Sequence, residues 1–259
     1  MRLHHKNLLT GVLLLLLLVL VPGTVSDAAG KKNRFQTKKG VTNYYDENGK
    51  KVKNKIIEIK GSSYYFDKKG GMIKGWVKKG KQYYYFDRKS GKMKKNCTVD
   101  GIQLKKNGTA KQTKLSVEKI KTMITARSVV EKITKPTDKK SKKIDACCKY
   151  VMDPPYVRYR FLKPIMNDKG WECTFANDIF KKGKGDCVSQ SCALAFLFKE
   201  LGLKNIYVCH DTSHSWVEVD GKVYDTLFAK AKKDHAYLNV TYKEFDYNGI
   251  TEAPYKRKI

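Results

Sequence analysis

The chain has 259 residues and carries 54 Lys and Arg against 25 Asp and Glu, a net charge of +29. That length accommodates one ordinary domain with a smaller companion, and it supports a core without the disulfide framework of a small scaffold, although seven cysteines are present. Lys outnumbers Arg 47 to 7, and a point charge suits anionic polymers better than the forked recognition of nucleic-acid bases.

The chain opens as a secretory signal peptide over residues 1–28. "MRLHHKN" is basic, "LLTGVLLLLLLVLVPG" is apolar, and "TVSDAA" supplies small residues for cleavage. The unbroken apolar part, residues 12–21, is short of the roughly 20 residues needed to span a bilayer. The expectation is a secreted protein at a cell wall or cell surface, with no integral membrane anchor after cleavage and no nucleic-acid partner. Its odd number of cysteines leaves at least one unpaired within the monomer.

Residues 29–112 repeat with a period near twenty: Tyr45, Tyr65 and Tyr85 are in step, as are Asp67 and Asp87. Each unit reads as an aromatic strand, an Asp/Asn/Gly turn and a return strand, hence a β-hairpin that must stack on its neighbours to bury its rings. The stretch 29–114 carries a net +19. "GWVKKGKQYYYFDRKSGKMKKN", residues 75–96, resembles the cell-wall-binding repeats of Gram-positive surface proteins, the choline-binding and glucan-binding families. That resemblance implies a cation–π cage of Trp and Tyr from successive hairpins. The candidate ligand residues are Tyr64, Tyr65, Trp76, Tyr84 and Tyr85, with packing as the other use of the same tyrosines. Trp76 alone occupies the Gly-Trp position, so the expected ligand is an anionic cell-wall polymer or glycan held by the Lys-rich face.

Leu115, Ile120, Ile124 and Val130 predict an amphipathic helix with Ser116 as N-cap and Pro136 beyond its end. The polar stretch at 112–116 predicts that the repeats separate cleanly from a second unit, residues 113–259. After "TKPTDKKSKK" a second helix, "KIDACCKYVMD", runs to Pro154-Pro155. Its adjacent Cys147 and Cys148 point to different faces, as packing residues or half of a bridge. An irregular aromatic stretch follows to Trp171.

"GDCVSQSCALAFLFKELG" is apolar on every side when wound as a helix, so it is buried. Asp186 is placed to cap it, and Cys187 falls in the first turn, where free N–H groups and the helix dipole favour a thiolate. Cys192 points about 140° away on the same helix, which disfavours both a bridge and a shared metal ion. The C-x4-C and H-x3-H pattern of Cys187, Cys192, His210 and His214 has too long an insert for a zinc finger. No metal and no cofactor is expected. His210 reads as a strand-end surface residue and Cys209 as a buried thiol. Downstream, Asp220-Gly221 is a two-residue hairpin turn. If Val219 pairs with Lys222, His214 becomes a diagonal neighbour of Asp225 on one face. A thiolate, an imidazole and an orienting carboxylate make a nucleophilic triad.

"GDCVSQSCALAFLFKELG" followed by "HSWVEVDGKVYD" resembles the transglutaminase-like cysteine enzymes. The resemblance implies Cys187 as nucleophile, His214 as general base and Asp225 as orienting acid, with "TLFAK" after Asp225 departing from the usual pattern. Trp171 borders the site without an assigned role. The fold class expected is α+β: a solenoid-like hairpin module, then a transglutaminase-like (papain-like) domain whose buried helix packs on an antiparallel sheet. The function expected is an exported, envelope-associated cysteine acyl-transfer enzyme acting on a protein or peptide amide. The rival is a wall-binding adhesin whose second unit is only structural.

Overall fold

A computed structural model describes residues 32–233, 235–245 and 247–259, so the signal peptide expected at 1–28 lies outside the described residues. The fold is α+β, with small antiparallel sheets and five α-helices among the described residues.

The N-terminal third is a ladder of hairpins. β1 (Arg34–Lys38) pairs with β2 (Val41–Tyr45), and β3 (Lys55–Ile59) pairs with β4 (Ser62–Phe66) and through it with β5 (Met72–Ile73). β6 (Gly75–Lys79) pairs with β7 (Gln82–Phe86), and β8 (Thr98–Val99) with β9 (Ile102–Gln103). The hairpins are closed one turn earlier than the sequence suggests. Lys39-Gly40 and Lys60-Gly61 both have positive φ, the twist that a two-residue turn needs to match right-handed strands. Asp100-Gly101, also with two positive φ values, closes β8–β9, whereas the turns at Asp46, Asp67 and Asp87 lead the chain onward to the next hairpin. Asp67 Oδ1 accepts from the backbone of Lys69 and Gly71, both at 2.8 Å. The return strand after it is only Met72–Ile73. Gly70 has φ +86°, and a Cβ there would lie 2.5 Å from Lys51 Cδ, so glycine at this position permits one hairpin to stack on the last.

α1 (Lys114–Ile133) starts at a capping box: Thr113 Oγ1 accepts from Ser116 N at 3.1 Å, and Ser116 Oγ accepts from Thr113 N at 2.8 Å. Thr113 is therefore the N-cap, and Ser116, expected in that role, is its reciprocal partner one turn in. Ile120, Met123 and Ala126 face the core, while Leu115 is exposed. α2 (Lys140–Met152) buries the free thiols Cys147 and Cys148 and ends before the two prolines. α3 (Trp171–Asn177) and a π-helical turn (Asp178–Lys182) lead to α4 (Cys187–Glu200), which is buried continuously from Cys187 to Phe198. α4 packs on β10 (Ile206–His210) and β11 (Ser215–Val219) and is flanked by α1, α2 and α3. Its sheet has the order β13-β12-β11-β10-β14, all antiparallel, with β12 at Lys222–Tyr224, β13 at Leu238–Val240 and β14 at Tyr255–Lys258. α5 (Thr226–Lys232) follows β12 directly.

The boundary between residues 112 and 113 falls on the α1 cap, yet the core crosses it. Trp76, Tyr85, Ile102 and Leu104 of the hairpins share one buried cluster with Ile120, Met123 and the apolar side chains of α4. Arg88 forks onto Glu200 at the C-terminal end of α4 at 2.9 and 2.8 Å, and Lys199 meets Asp100 at 2.8 Å. Hairpins and helices thus share a buried core across the boundary. Hairpin rings that a short ladder cannot cover for itself are covered by the helices. Among the described residues, no helix is long and apolar enough to cross a membrane.

Candidate functional site

Cys187 occupies the first helical position of α4 and is 3% exposed, at the floor of a cleft of about 380 Å³. Asp186 caps the helix, its Oδ1 accepting from Ser189 N at 2.9 Å. The N–H groups of Cys187 and Val188, at the first two positions, have no acceptor within the helix, and both residues line the cleft. The chain reaches Cys187 through Gly185, where a Cβ would lie 2.4 Å from Ser189 Cβ and 2.8 Å from Ile179 Cδ1. A side chain there would push the incoming chain away from α4 and Ile179, so glycine lets it enter the helix directly before the Asp186 cap.

His214 stands just before β11 and is fixed from several sides. Its backbone N–H donates to Asp211 Oδ1 at 2.7 Å, and its ring stacks on Phe228 at 4.6 Å and 12°. Nε2 lies 2.6 Å from Asp225 Oδ2. The Cys187 side chain is near enough to the imidazole to favour its charged form. Burial disfavours a charged ring, but the bonds to Asp225 and Cys187 outweigh it and raise His214 from 6.5 to about 9. Asp225 is fully buried and divides its carboxylate between two tasks. Oδ2 holds His214, and Oδ1 caps α5 by accepting from Phe228 N at 3.0 Å. The register that brings them together is Val219 opposite Lys222 and Val217 opposite Tyr224.

Chemically, the arrangement joins a thiol at a helix N-terminus to an imidazole held protonated by a buried carboxylate. Such a group can hold a thiolate–imidazolium pair, attack an acyl carbon and return a proton to the leaving group. Of the thiols, Cys192 is wholly buried within α4 and Cys209 within β10, both with raised pKa values because burial penalises the thiolate. Among the described residues, no group of three or more His, Cys, Asp or Glu is placed to share a metal ion.

His210 differs from expectation. It is buried, lines the same cleft, stacks on Tyr255 at 5.0 Å and 13°, and approaches the Asp211 carbonyl through Nδ1 at 3.1 Å. Burial, the leading effect, lowers its pKa, so the ring is neutral at physiological pH. Trp171 stands behind it, edge-on at 6.3 Å, with its indole N–H donated to the Met166 carbonyl at 3.1 Å. Phe228 was not legible as a site residue, although its place three residues after an N-cap Asp is a usable signal.

The hairpin residues fall into separate groups. Trp76 is 0% exposed, donates its indole N–H to Asp100 Oδ2 at 2.8 Å and meets Tyr85 edge-on at 5.2 Å. It serves the core shared with the helices and offers no face to a ligand, which corrects its nomination for a cage. Tyr64 is buried in a different cluster, with Phe35 packed edge-on at 5.2 Å. Tyr65 and Tyr84, on the opposite strand faces, stay half-buried. The split follows from strand alternation: neighbouring tyrosines point to opposite sides.

The family model described as the choline-binding repeat matches residues 33–71 and 56–97. The choline-binding domain of Spr1274 from Streptococcus pneumoniae is similar at 25% identity, over 30% of this chain and 93% of that one, with a TM-score of 0.28. The pneumococcal cell-wall endolysin from phage Cp-1, solved with choline, is 31% identical over 25% of this chain and 19% of its own, with a TM-score of 0.24. A truncated alternansucrase from Leuconostoc mesenteroides is 26% identical over 32% of this chain and 7% of its own, with a TM-score of 0.27. No curated protein matches the chain.

Proposed function

We propose that the chain is a wall-binding surface protein that its hairpin repeats attach to a cell envelope. The match of residues 33–71 and 56–97 to the choline-binding repeat carries this reading, and the net +19 of residues 29–114 supports an anionic wall polymer as the ligand. The test is binding of the full chain to Gram-positive cell walls while salt rises from about 50 to about 500 mM. Charge-driven binding falls steeply over that range as the screening length shrinks. Binding that resists salt and yields to free choline would instead assign the ligand to an aromatic site.

A second reading is favoured by one observation, the Cys187, His214 and Asp225 constellation with Nε2 at 2.6 Å from Asp225 Oδ2. In it, the attached protein is a transglutaminase-like cysteine acyl-transfer enzyme. The Cys187 thiolate attacks an amide carbonyl, and the oxyanion forms beside the free N–H groups at the start of α4. His214 gives its proton to the departing amine or ammonia, leaving a thioester. Water or a primary amine then gives its proton to His214 and attacks the thioester, and Cys187 leaves. Asp225 keeps the ring oriented and favours its charged form. Ammonia release from a glutamine-containing peptide, measured with and without a primary amine, tests this chemistry and identifies the acceptor. Equal release by wild type and Cys187→Ala would leave the adhesin reading alone.

A further inference from the structure

We infer that the Cys187 cleft takes acidic peptides, reading a substrate carboxylate at its mouth through the Arg158 guanidinium with Lys163 beside it; this rests on the acyl-transfer reading of the same cleft. The argument is one of which charges are already spent. Asp186 and Asp211 are the carboxylates in the cleft wall. Asp186 is buried and caps α4. Asp211 accepts from the backbone of Ser213 and His214 at 2.6 and 2.7 Å and from the Tyr247 hydroxyl at 2.8 Å. Asp211 is thus taken up within the protein, and the second oxygen of Asp186 faces Arg158 itself. Arg160 is spent as well, since both of its terminal nitrogens lie on buried Asp178.

Arg158 is different. Its side chain is 42% exposed, one terminal nitrogen donates to the Tyr156 hydroxyl at 2.8 Å, and Nε stands 3.6 Å from Asp186, beyond hydrogen-bond reach. The guanidinium lies over the Phe161 ring at 5.4 Å, and that ring is itself 67% exposed. Arg88, Arg127 and Arg257 direct their donors at carboxylates or backbone carbonyls within the protein. Arg158 is thus a planar fork, steadied from behind by Tyr156, with donors remaining at the mouth of the cleft. Such a fork matches a carboxylate in two-point geometry. Lys163 is exposed on the same rim, so the mouth keeps positive charge beyond the single long ion pair of Arg158 Nε with Asp186. In a chain with 47 Lys and 7 Arg, an arginine here is a choice of geometry as well as of charge.

The test measures binding of fluorescent glutamine-containing peptides to the full chain carrying Cys187→Ala, which holds substrate without turning it over. A peptide with glutamates flanking the glutamine is expected to bind about tenfold tighter than one with lysines, the scale of one charge-assisted hydrogen bond. Arg158→Glu combined with Lys163→Glu should remove the preference. Lys140→Glu combined with Lys204→Glu, the same charge change at exposed positions elsewhere, should keep it. No acidic preference, or a preference lost equally in both double variants, overturns the inference, because the field of the whole molecule would then be the cause. A wild-type chain that binds as expected but releases no ammonia from any peptide removes the acyl-transfer reading and this inference with it. Loss of the preference at Arg158 and Lys163 in an active protein supports both.

Discussion

At the scale of single residues, the seven thiols are set apart by where they stand. Burial pushes Cys147, Cys173 and Cys209 up to about 12 and Cys148 and Cys192 higher still, and Cys97 is half-buried in the hairpins away from any helix start, whereas Cys187 opens on a cleft at a helix start beside His214. Iodoacetamide at neutral pH should therefore modify Cys187 first, as read by peptide mass spectrometry. Reaction at Cys192 as fast as at Cys187 would remove the nucleophile assignment. His214 supplies a pH dependence whose sign is fixed. Its pKa in the folded protein, about 9, lies above its ordinary 6.5. The ion pair with Asp225 thus stabilises the fold fully below about 6.5 and is lost as pH rises through about 9. Asp225→Asn keeps a capping oxygen but removes the charge, so this alkaline loss of thermal stability should disappear. An unchanged slope of melting temperature between pH 6.5 and 9 would contradict that assignment. These residues were legible in the sequence because Asp220-Gly221 fixes the register that sets His214 beside Asp225. His210 was not, since nothing local announces that Tyr255, forty-five residues on, will cover it.

Among the elements, turns decide which side chains meet. Asp220 and Gly221 both have positive φ, and a Cβ at Gly221 would meet nothing within 4 Å. Gly221→Ala therefore isolates backbone strain, and an unfolding titration should show a loss of about 1 kcal/mol. A loss of several kcal/mol would mean that the β11–β12 register itself had slipped. The α1 cap offers a parallel case: Thr113→Ala leaves the Ser116 backbone N–H without its acceptor and should cost about 1 kcal/mol. The sequence led to Ser116 because hydrophobic spacing was counted from Leu115, which proves to be exposed. In the hairpins it led to the Asp turns because their residue types are the familiar turn formers. Lys-Gly carries a weaker signal, yet it closes β1–β2 and β3–β4 with a pair of positive φ values, while Gly80-Lys81 closes β6–β7 with positive φ at the glycine alone.

For the molecule as a whole, the helix apolar on all sides and the alternating hairpin strands made the α+β class readable. What the sequence could not show was that Trp76 and Tyr85 would be roofed by helices, a contact between parts distant along the chain. Arg88→Ala leaves Glu200, 3% exposed at its side chain, buried without its fork. Its cost should be on the order of 3 kcal/mol, and chemical unfolding followed by tryptophan fluorescence and by far-UV circular dichroism should still give one coincident transition. Separate transitions for hairpins and helices would contradict a shared core. That junction also fixes a distance. α4 rises about 1.5 Å per residue from the Cys187 thiol to the Glu200 carboxylate that Arg88 grips, which sets the cleft roughly 20 Å from the hairpins along a rigid rod. An anchored copy cannot sweep its surroundings as it would on a flexible leash. If the hairpins hold a wall polymer as proposed, the cleft stands at one height above it, and tension on that polymer passes through the packed helix instead of being absorbed by slack chain.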